Sequence, residues 1–286
     1  MANENYINAM VTNYDATVLP VKSATIFAAH ENSLFLGGEL IPVVNAPNGI
    51  LQVPEIAKDV DVDVITGAAP GSADIETELP TFTKNTIQAD LFAARSVVRD
   101  LGAIDPTEVG RALGMAVAAK FDAQVMNVLG DLTAIEADDT AGKGVLTVSD
   151  IADAVAAIRG SGDTSPLMGV IAHTEYASLM NDIGSTAFAG GDLFQGQALR
   201  SGFFGNILGV QLFVTSYMTD ANTGVTNPMA AIFSKDAMRI AMQKNVDLEI
   251  ARRAAAVGND VVASLHAKCG LIDAARGRIL INAAGA

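Results

Sequence analysis

Residues 105–130 read DPTEVGRALGMAVAAKFDAQVMNVLG, which is the longest helix signal in the chain. Asp105 is a favoured N-cap, Pro106 suits the first helical position, and Glu108 completes a capping box. Apolar residues then recur at three- and four-residue spacing until a final glycine, which is a typical helix stop. At 1.5 Å per residue, a helix over 106–129 would be about 36 Å long. The stretch therefore predicts a spine helix on which the rest of the fold is assembled.

One face of this spine helix is predicted to be buried. Its apolar stripe consists of Val109, Leu113, Ala116, Val117, Phe121, Val125 and Val128. Four polar residues fall off the stripe, and we expect them to lie outside the buried face. They are Arg111, Lys120, Asp122 and Asn127.

The part of the chain before the spine helix has no comparable pattern and is predicted to be largely extended. Residues 1–40 carry scattered apolar anchors and are interpreted as an N-terminal arm, with a short helix near 21–30. Residues 41–92 are predicted to form a long β-hairpin, in which a Pro-Asn-Gly turn precedes the first limb. The first limb is predicted as a strand near 50–54, and the returning limb as a strand over 81–91.

Acidic residues concentrate in this hairpin. Residues 59–64 read DVDVDV, so a strand here would place Asp59, Asp61 and Asp63 on one face and valines on the other. Further acids follow at Asp74, Glu76 and Glu78. Carboxylates bind hard cations, but a metal-binding loop curls them around one point, whereas a strand spreads them along a face. We interpret the acids as a solvated or partner-facing strand, and a metal site is the alternative.

Four arginines are candidates for pairing with these acids on a neighbouring subunit. They are Arg95, Arg99, Arg252 and Arg253. Arg95 and Arg99 are four residues apart, which puts both guanidinium groups on one face if the segment over 85–101 is helical. The predicted assembly interface therefore combines these arginines with Asp59, Asp61 and Asp63.

Beyond the spine helix, strand and helix patterns alternate before long strands close the chain. Thr147 begins a helix that ends at Gly160. Short apolar strands are predicted over 168–172, 209–215, 230–233 and 278–282. A glycine-rich stretch over 181–205 is typical of a functional or interface loop. Two long strands joined by a turn at 257–260 are expected to lie beside the spine helix.

The composition favours a protein that hides surface against other subunits. The 286 residues suffice for one large or two modest domains. Charged residues make up 17% of the chain, against about 25% in an average soluble protein. An alanine-rich monomer is the alternative. The net charge of −14 argues against a nucleic-acid-binding surface, although it does not exclude enclosing nucleic acid.

Motifs for catalysis, cofactors and metals are not recognisable in the sequence, so we predict none of these sites. Cys269 is the only cysteine and is interpreted as a small buried side chain, with a catalytic thiol as the alternative. The three histidines lie far apart in sequence. The N-terminus lacks the pattern of a secretory signal, and the uncharged stretch over 201–219 is interrupted by glycines, so no membrane span is expected.

Four segments carry a resemblance to a known family. They read AARSVVRDL at 93–101, VIAHTEYASL at 170–179, ILGVQLFVTS at 207–216 and AIFSKDA at 231–237. In this order, together with the arm, the acidic hairpin and the spine helix, they resemble the major capsid proteins of tailed bacteriophages. The resemblance extends over residues 40–282, and the order of the motifs is more specific than any one of them.

The resemblance implies the Hong-Kong-type capsid fold, an α+β fold. Its parts would be an N-terminal arm over 1–40, an extended hairpin loop over 41–92 and a central α/β axial domain over 146–234. A peripheral domain would combine residues 93–145 and 235–286, with the spine helix over 106–129 and the long β-strands.

The resemblance also implies a structural protein that assembles as hexamers and pentamers into an icosahedral shell around double-stranded DNA, without sequence-specific binding. It would assemble in the host cytoplasm and reside in the virion. Its partners would be further copies of itself, a portal, a separate scaffolding protein and, as an optional component, a decoration protein. A covalent cross-link of the hairpin is not expected, because Lys58 is the only lysine within 41–80 and no acid catalyst or asparagine partner is recognisable.

Two alternatives remain at the level of sequence. An encapsulin-like nanocompartment shares this fold and would bind cargo peptides on its inner face. An acidic α/β enzyme with an unusual active site would instead be a monomer of the chain's own mass.

Overall fold

The computed structural model describes residues 20–58, 81–99, 106–137, 144–185, 203–253, 255 and 257–282. The described helices are α1 (20–32), α2 (Pro106–Gly130), α3 (Val148–Gly160), α4 (Tyr176–Ser185) and α5 (Asp220–Thr223), with a 3-10 turn at Ala274–Arg276. The strands are β1 (Val43–Asn45), β2 (Ile50–Lys58), β3 (Thr81–Gln88), β4 (Asp90–Arg99), β5 (Thr133–Glu136), β6 (Leu167–Ala172), β7 (Phe203–Ile207), β8 (Val210–Thr215), β9 (Pro228–Ser234), β10 (Met238–Arg253), β11 (Gly258–Leu271) and β12 (Gly277–Ile281).

Three sheets organise these strands. β1, β10, β11 and β4 form a four-stranded sheet in that order, in which β1 is parallel to β10 and the other neighbours are antiparallel. β5, β12, β9, β6, β8 and β7 form a six-stranded mixed sheet, and β2 pairs with β3. The architecture is α+β, as the sequence predicted.

The spine helix α2 packs along one face of the four-stranded sheet, as predicted for the long strands. Every second residue of β11 points to this face and is buried, namely Val261, Ala263, Leu265, Ala267 and Cys269. The ring of Phe121 packs edge-on against Phe92 of β4, with centroids 5.8 Å apart. The side-chain amide of Gln124 hydrogen-bonds to the N–H and the carbonyl oxygen of Cys269, at 3.3 Å each. These contacts fix the helix against the middle of the sheet.

The helix α1, which confirms the short helix predicted near 21–30, runs parallel to α2 at very close range. A Cβ atom on Gly110 would lie 2.8 Å from Val21 Cγ1, and one on Gly114 would lie 2.3 Å from the carbonyl oxygen of Thr25. Both contacts join residues at the same offset along the two helices, so the helices point in the same direction. Glycine is required at these positions because a side chain would separate the two backbones.

α2 is therefore buried on two faces, which corrects the prediction of a single stripe. Ala116, predicted within the stripe, is exposed, whereas Asp122, predicted outside it, is 1% exposed. Met126 and Leu129 are fully buried as well. The periodicity of apolar residues could not reveal that α1 covers the second face, because that face contains the polar residue Asp122. A carboxylate can be buried where hydrogen bonds stabilise it, and these bonds come from a distant part of the chain.

The six-stranded sheet forms a second core with α3. Thr147 and Asp150 exchange hydrogen bonds in a capping box, and the helix ends at Gly160, as predicted. The apolar strands β6 and β9 are buried along their whole length. β5 and β12 also hydrogen-bond within this sheet, although the predicted division assigns them to the peripheral segments 93–145 and 235–286. The division into domains stays a prediction.

Antiparallel pairing of β2 with β3 agrees with the predicted hairpin limbs. β4 is a strand that pairs with β11, so the helical alternative for 85–101 is wrong. Its residues alternate between exposed and partly or fully buried from Leu91 to Val98, which is the period of a strand. Several predicted features lie outside the described residues: residues 1–19, the hairpin over 59–80 with Asp59, Asp61 and Asp63, and most of the glycine-rich loop, over 186–202.

Candidate assembly interface

Three long strands come together at one end of the four-stranded sheet. Their register places Arg253, Gly258 and Arg99 in one row across β10, β11 and β4. Arg252 lies in the next row, and Arg95 lies four residues before the end of β4. The fold thus brings the four predicted arginines to one end of one sheet. We call Arg95, Arg99, Arg252 and Arg253 the arginine cluster.

The side chain of Arg95 has a partner within the chain. Its Nε donates a 2.7 Å hydrogen bond to Asp260 Oδ1, and its Nη2 contacts Oδ2. Asp260 lies opposite Val97, so the pair runs diagonally from β4 to β11. These hydrogen bonds and the charge of Arg95 lower the pKa of Asp260, and the charge of Arg253 acts in the same direction. The predicted pairing of Arg95 with a neighbour's acids stays a prediction.

Three members of the arginine cluster are accessible, and the end of the sheet around them is locally positive. The side chain of Arg95 is 55% exposed, and Arg252 and Arg253 are exposed at the end of β10. In the last three rows of the sheet, Asp260 is the one carboxylate of the described strands. The next acid along β10 is Glu249, whose Oε1 lies 3.7 Å from Nζ of Lys244. A positive end on a chain of net charge −14 is suited to an acidic partner surface.

The turn between β10 and β11 carries an exposed valine in a strained conformation. Val257 has a φ of 46°, a left-handed backbone that β-branched residues rarely adopt, and it is 61% exposed. Such conformations concentrate at functional positions. An apolar side chain next to the arginine cluster therefore makes this turn part of the candidate interface.

β4 is the outermost strand of the four-stranded sheet. Among the described residues, no strand pairs with its outer edge. On the face of the sheet that points away from α2, Leu91 and Val97 are 61% and 37% exposed. An unpaired edge with exposed apolar side chains is a template for a further strand, so natural proteins cover such edges.

The arginines were identifiable in the sequence, but the features that make them a surface were not. Asp260, which sequence assigns to a turn over 257–260, belongs to β11 and holds Arg95. Residues 91–98 read LFAARSVV, which does not alternate between apolar and polar residues, so the sequence carried no period-two signal for the edge strand. The spacing of Arg95 and Arg99 was ambiguous, because residues four apart share a face in a strand as well as in a helix.

One pocket elsewhere contains groups capable of chemistry. It has a volume of about 410 Å³ and is lined by His173, Glu175 and Asp220, among others. Glu175 accepts a hydrogen bond from the N–H of Leu146, and Asp220 accepts one from the N–H of Asn227. Both carboxylates thus hold neighbouring loops, which is a structural role.

Cys269 is 1% exposed, and burial raises the pKa of its thiol to about 12. The burial confirms the prediction of a small buried side chain, and a thiol with this pKa is protonated at neutral pH. In the described part of the chain, no group of three or more His, Cys, Asp and Glu residues could hold a metal ion. No helix within the described ranges is both long and apolar enough to cross a membrane.

The sequence matches no protein-family model, and no curated protein is significantly similar to it. Solved structures do resemble its fold. The capsid of a native GTA particle is 15% identical, with a TM-score of 0.64 over 86% of this chain and 89% of that one. The virus-like particle from Pyrococcus furiosus is 12% identical, with a TM-score of 0.63 over 92% and 98%. The capsid of Cyanophage P-SCSP1u is 14% identical, with a TM-score of 0.61 over 85% and 86%.

These likenesses extend over most of the chain and most of each relative. The chain therefore has the fold of tailed-phage capsid proteins, as its ordered motifs predicted. At 12–15% identity the comparison concerns the fold, and the function requires its own argument.

Proposed function

We propose that this chain is a structural shell protein that assembles with copies of itself into a closed capsid. The observation that carries the proposal is the fold, which covers 89% of the capsid chain of a GTA particle and 86% of a cyanophage capsid chain. Function does not follow from fold alone, but this fold has a consistent use among the compared structures. Assembly is a property of surfaces, so the surfaces of this chain must support it.

Two surface features support self-association. The arginine cluster is positive on a chain that carries a net charge of −14, so a second copy offers it abundant acids. The outer edge of β4 bears Leu91 and Val97, both exposed on an edge strand. Only 17% of the residues are charged, which fits a chain that buries surface against neighbours.

The finer parts of the proposal follow from the resemblance. Copies of the chain form hexamers and pentamers of an icosahedral shell, which encloses double-stranded DNA without recognising its sequence. The shell assembles in the host cytoplasm with a separate scaffolding protein and a portal, and a decoration protein is an optional component. The chain has no catalytic role in this proposal, and the buried thiol of Cys269 is consistent with that.

Electron microscopy of the purified protein tests the proposal directly. The protein is expressed alone and together with the candidate scaffolding protein, and negative-stain images are combined with sedimentation velocity. Closed particles or ring-shaped capsomers are the expected result. A monodisperse species of 29.5 kDa under both conditions, across protein concentration and salt, would contradict a shell protein and favour the enzyme alternative.

A nanocompartment is the second candidate, and one observation favours it. The virus-like particle from Pyrococcus furiosus is matched over 98% of its chain, with a TM-score of 0.63. The contents of purified particles separate the two candidates. Co-purified protein cargo held by a short peptide would favour the nanocompartment, whereas filling with duplex DNA in the presence of a portal would favour the capsid.

A further inference from the structure

Two short segments connect the four-stranded sheet with the six-stranded sheet, and they lie side by side. Residues 235–237 join β9 to β10, and residues 272–276 join β11 to β12. The carbonyl oxygen of Ala237 accepts hydrogen bonds from the N–H groups of Ile272 and Asp273, at 2.8 and 3.2 Å. The two connections are therefore tied to each other, and we call this place the junction of the sheets.

The loop over 161–166, which joins α3 to β6, contacts the junction of the sheets. The N–H of Lys235 donates a 3.3 Å hydrogen bond to the carbonyl oxygen of Pro166. The hydroxyl of Ser165 donates to Asp236 Oδ2 at 2.8 Å. These bonds hold the end of the loop that leads into β6, so the loop belongs to the same polar network as the two connections.

Within this loop, Asp163 has a buried carboxylate of which one oxygen is unpaired. The residue is 7% exposed, and its Oδ1 accepts a 2.8 Å hydrogen bond from the N–H of Ser165. Among the described residues, its Oδ2 has no hydrogen-bond partner. Burial acts to raise the pKa of Asp163, but its hydrogen bonds and the charge of Arg276 outweigh this effect and lower the pKa. The carboxylate is therefore ionised at neutral pH, and a buried charge with an open acceptor position is costly unless a donor approaches it.

Arg276 is the cation whose charge acts on this carboxylate. Its neighbour Gly277 pairs with Phe233, which pairs with Met168 on its other side. The backbone at Arg276 thus lies about 10 Å, or two strand spacings, from the start of β6. Nε of Arg276 donates to Asp273 Oδ2 at 2.9 Å. Within the described part of the chain, this is the one donor of Arg276 that has a partner, so the other N–H groups of its guanidinium fork remain available.

We propose that Arg276 is a two-position latch at the junction of the sheets, exchanging between Asp273 and the open oxygen of Asp163. On Asp273 the guanidinium stays partly hydrated, since the two side chains are 41% and 25% exposed, and such a pair contributes little. On Asp163 it loses water but meets a buried carboxylate, where a charge-assisted hydrogen bond is stronger. The second position ties the connection over 272–276 to the loop over 161–166. The inference concerns the single chain and goes beyond the proposed function, so its test requires no particles.

A crystal structure of the Asp273→Asn variant tests the exchange directly. Asparagine can still accept the 2.8 Å hydrogen bond from the N–H of Ala275, but it lacks the charge that holds Arg276. The guanidinium is expected within hydrogen-bond distance of Asp163 Oδ2. The matched control is Asp163→Asn, in which Arg276 should remain on Asp273. A guanidinium that points to solvent in Asp273→Asn, or a water molecule in its place at Oδ2, would overturn the proposal.

Mutant cycles in solution cover the case in which the variant does not crystallise. The coupling between Arg276→Gln and Asp163→Asn is measured from the equilibrium constant for unfolding in urea, with Asp273 present and with Asp273→Asn in the background. Competition for one guanidinium predicts a coupling at least about threefold larger when Asp273 is replaced. Equal coupling in the two backgrounds would refute the exchange. A control cycle with Asp153→Asn, an exposed acid of α3, should show no coupling, and coupling of the same size there would also count against the latch.

Discussion

The carboxylate of Asp122 on α2 accepts a 2.6 Å hydrogen bond from the hydroxyl of Ser33, which follows α1. The N–H of Leu34 donates to its second oxygen at 3.0 Å. Burial raises the pKa of Asp122 to about 6, although these hydrogen bonds act in the opposite direction. One carboxylate therefore fastens the segment after α1 to the spine helix, and its charge changes in a range of pH that is easily reached.

The first prediction is that Asp122 makes stability depend on pH. Because its pKa is raised above the ordinary value of 3.8, the folded chain binds this proton more tightly than the unfolded chain. The associated stability is complete below about pH 4 and is lost as pH rises through about 6. The shift corresponds to at most about 3 kcal/mol. Asp122→Asn should remove this component from the pH dependence of the free energy of unfolding, measured with urea from pH 4 to 8.

Glu108→Gln provides the control, because Glu108 lies on the same helix but its side chain is 68% exposed. Its pH profile should follow that of the unaltered protein. Parallel profiles for Asp122→Asn and the unaltered protein would show that the carboxylate does not titrate in this range.

The second prediction concerns the close approach of α1 and α2. Gly114→Ala should lower the free energy of unfolding by about 1–3 kcal/mol, because its Cβ would lie 2.3 Å from the carbonyl oxygen of Thr25. Gly160→Ala in α3 is the matched control, since a Cβ there meets nothing within 4 Å. The control should be neutral or slightly stabilising. Equal urea midpoints for the two variants would mean that α1 does not pack on α2 as described.

Much of this fold was predictable because local signals agreed with it. The spine helix carries its own periodicity, and α3 is bounded by the Thr147 cap and Gly160. The burial of Asp122 was not predictable, because it depends on Ser33 and Leu34, which contact it only after α1 has docked. The residue types of a helix do not show that a second element packs on it when that element, here α1, comes from a distant part of the sequence.

The candidate interface was predictable in its residue types but not in its geometry. The arginines of β4 and β10 meet only through the register of β11, which local sequence does not determine. The partner of Arg95 was missed because the sequence assigned Asp260 to a turn, whereas it belongs to β11 and pairs with β4. Nonlocal pairing is therefore where sequence reasoning fell short.

The third prediction concerns the acids of the hairpin. Replacing Asp59, Asp61 and Asp63 together with Asn should weaken assembly and reduce its dependence on salt. Each exposed ion pair contributes about 0–1 kcal/mol, so a single replacement should have little effect, but the contact is repeated in every subunit of a shell. Light scattering during assembly at several salt concentrations measures the effect.

The control for this variant removes the same charge elsewhere. Asp131→Asn, Glu136→Gln and Asp153→Asn change three exposed acids outside the hairpin. Assembly of this control should retain the salt dependence of the unaltered protein. If both triple variants shift assembly equally, net charge and not the hairpin acids governs association.

The last prediction concerns the surface that faces DNA. A capsid wall that bound DNA tightly would trap it during packaging. Phosphate contacts contribute strongly to such binding, since the affinity of a protein with 6–10 of them changes by about 10³–10⁵ over a modest range of salt. A net charge of −14 fits a wall that does not adhere, with counterions screening repulsion over roughly 8–10 Å. The resemblance implies that the arm and the spine helix lie toward the interior. We therefore expect the unaltered protein not to shift duplex DNA at about 150 mM salt.

Lysines on the spine helix should reverse this behaviour. Asp122 is unsuitable, because a buried ammonium group without an acceptor would unfold the chain. Glu108→Lys with Ala112→Lys changes two exposed positions beside Arg111, and particles of this variant should retain nucleic acid. Asp153→Lys with Ala156→Lys adds the same charge to exposed positions of α3 and should not. Equal retention by both variants, measured from the absorbance ratio of purified particles, would show that the spine helix is not the inner surface. A DNA shift by the unaltered protein would refute the non-adhesive wall itself.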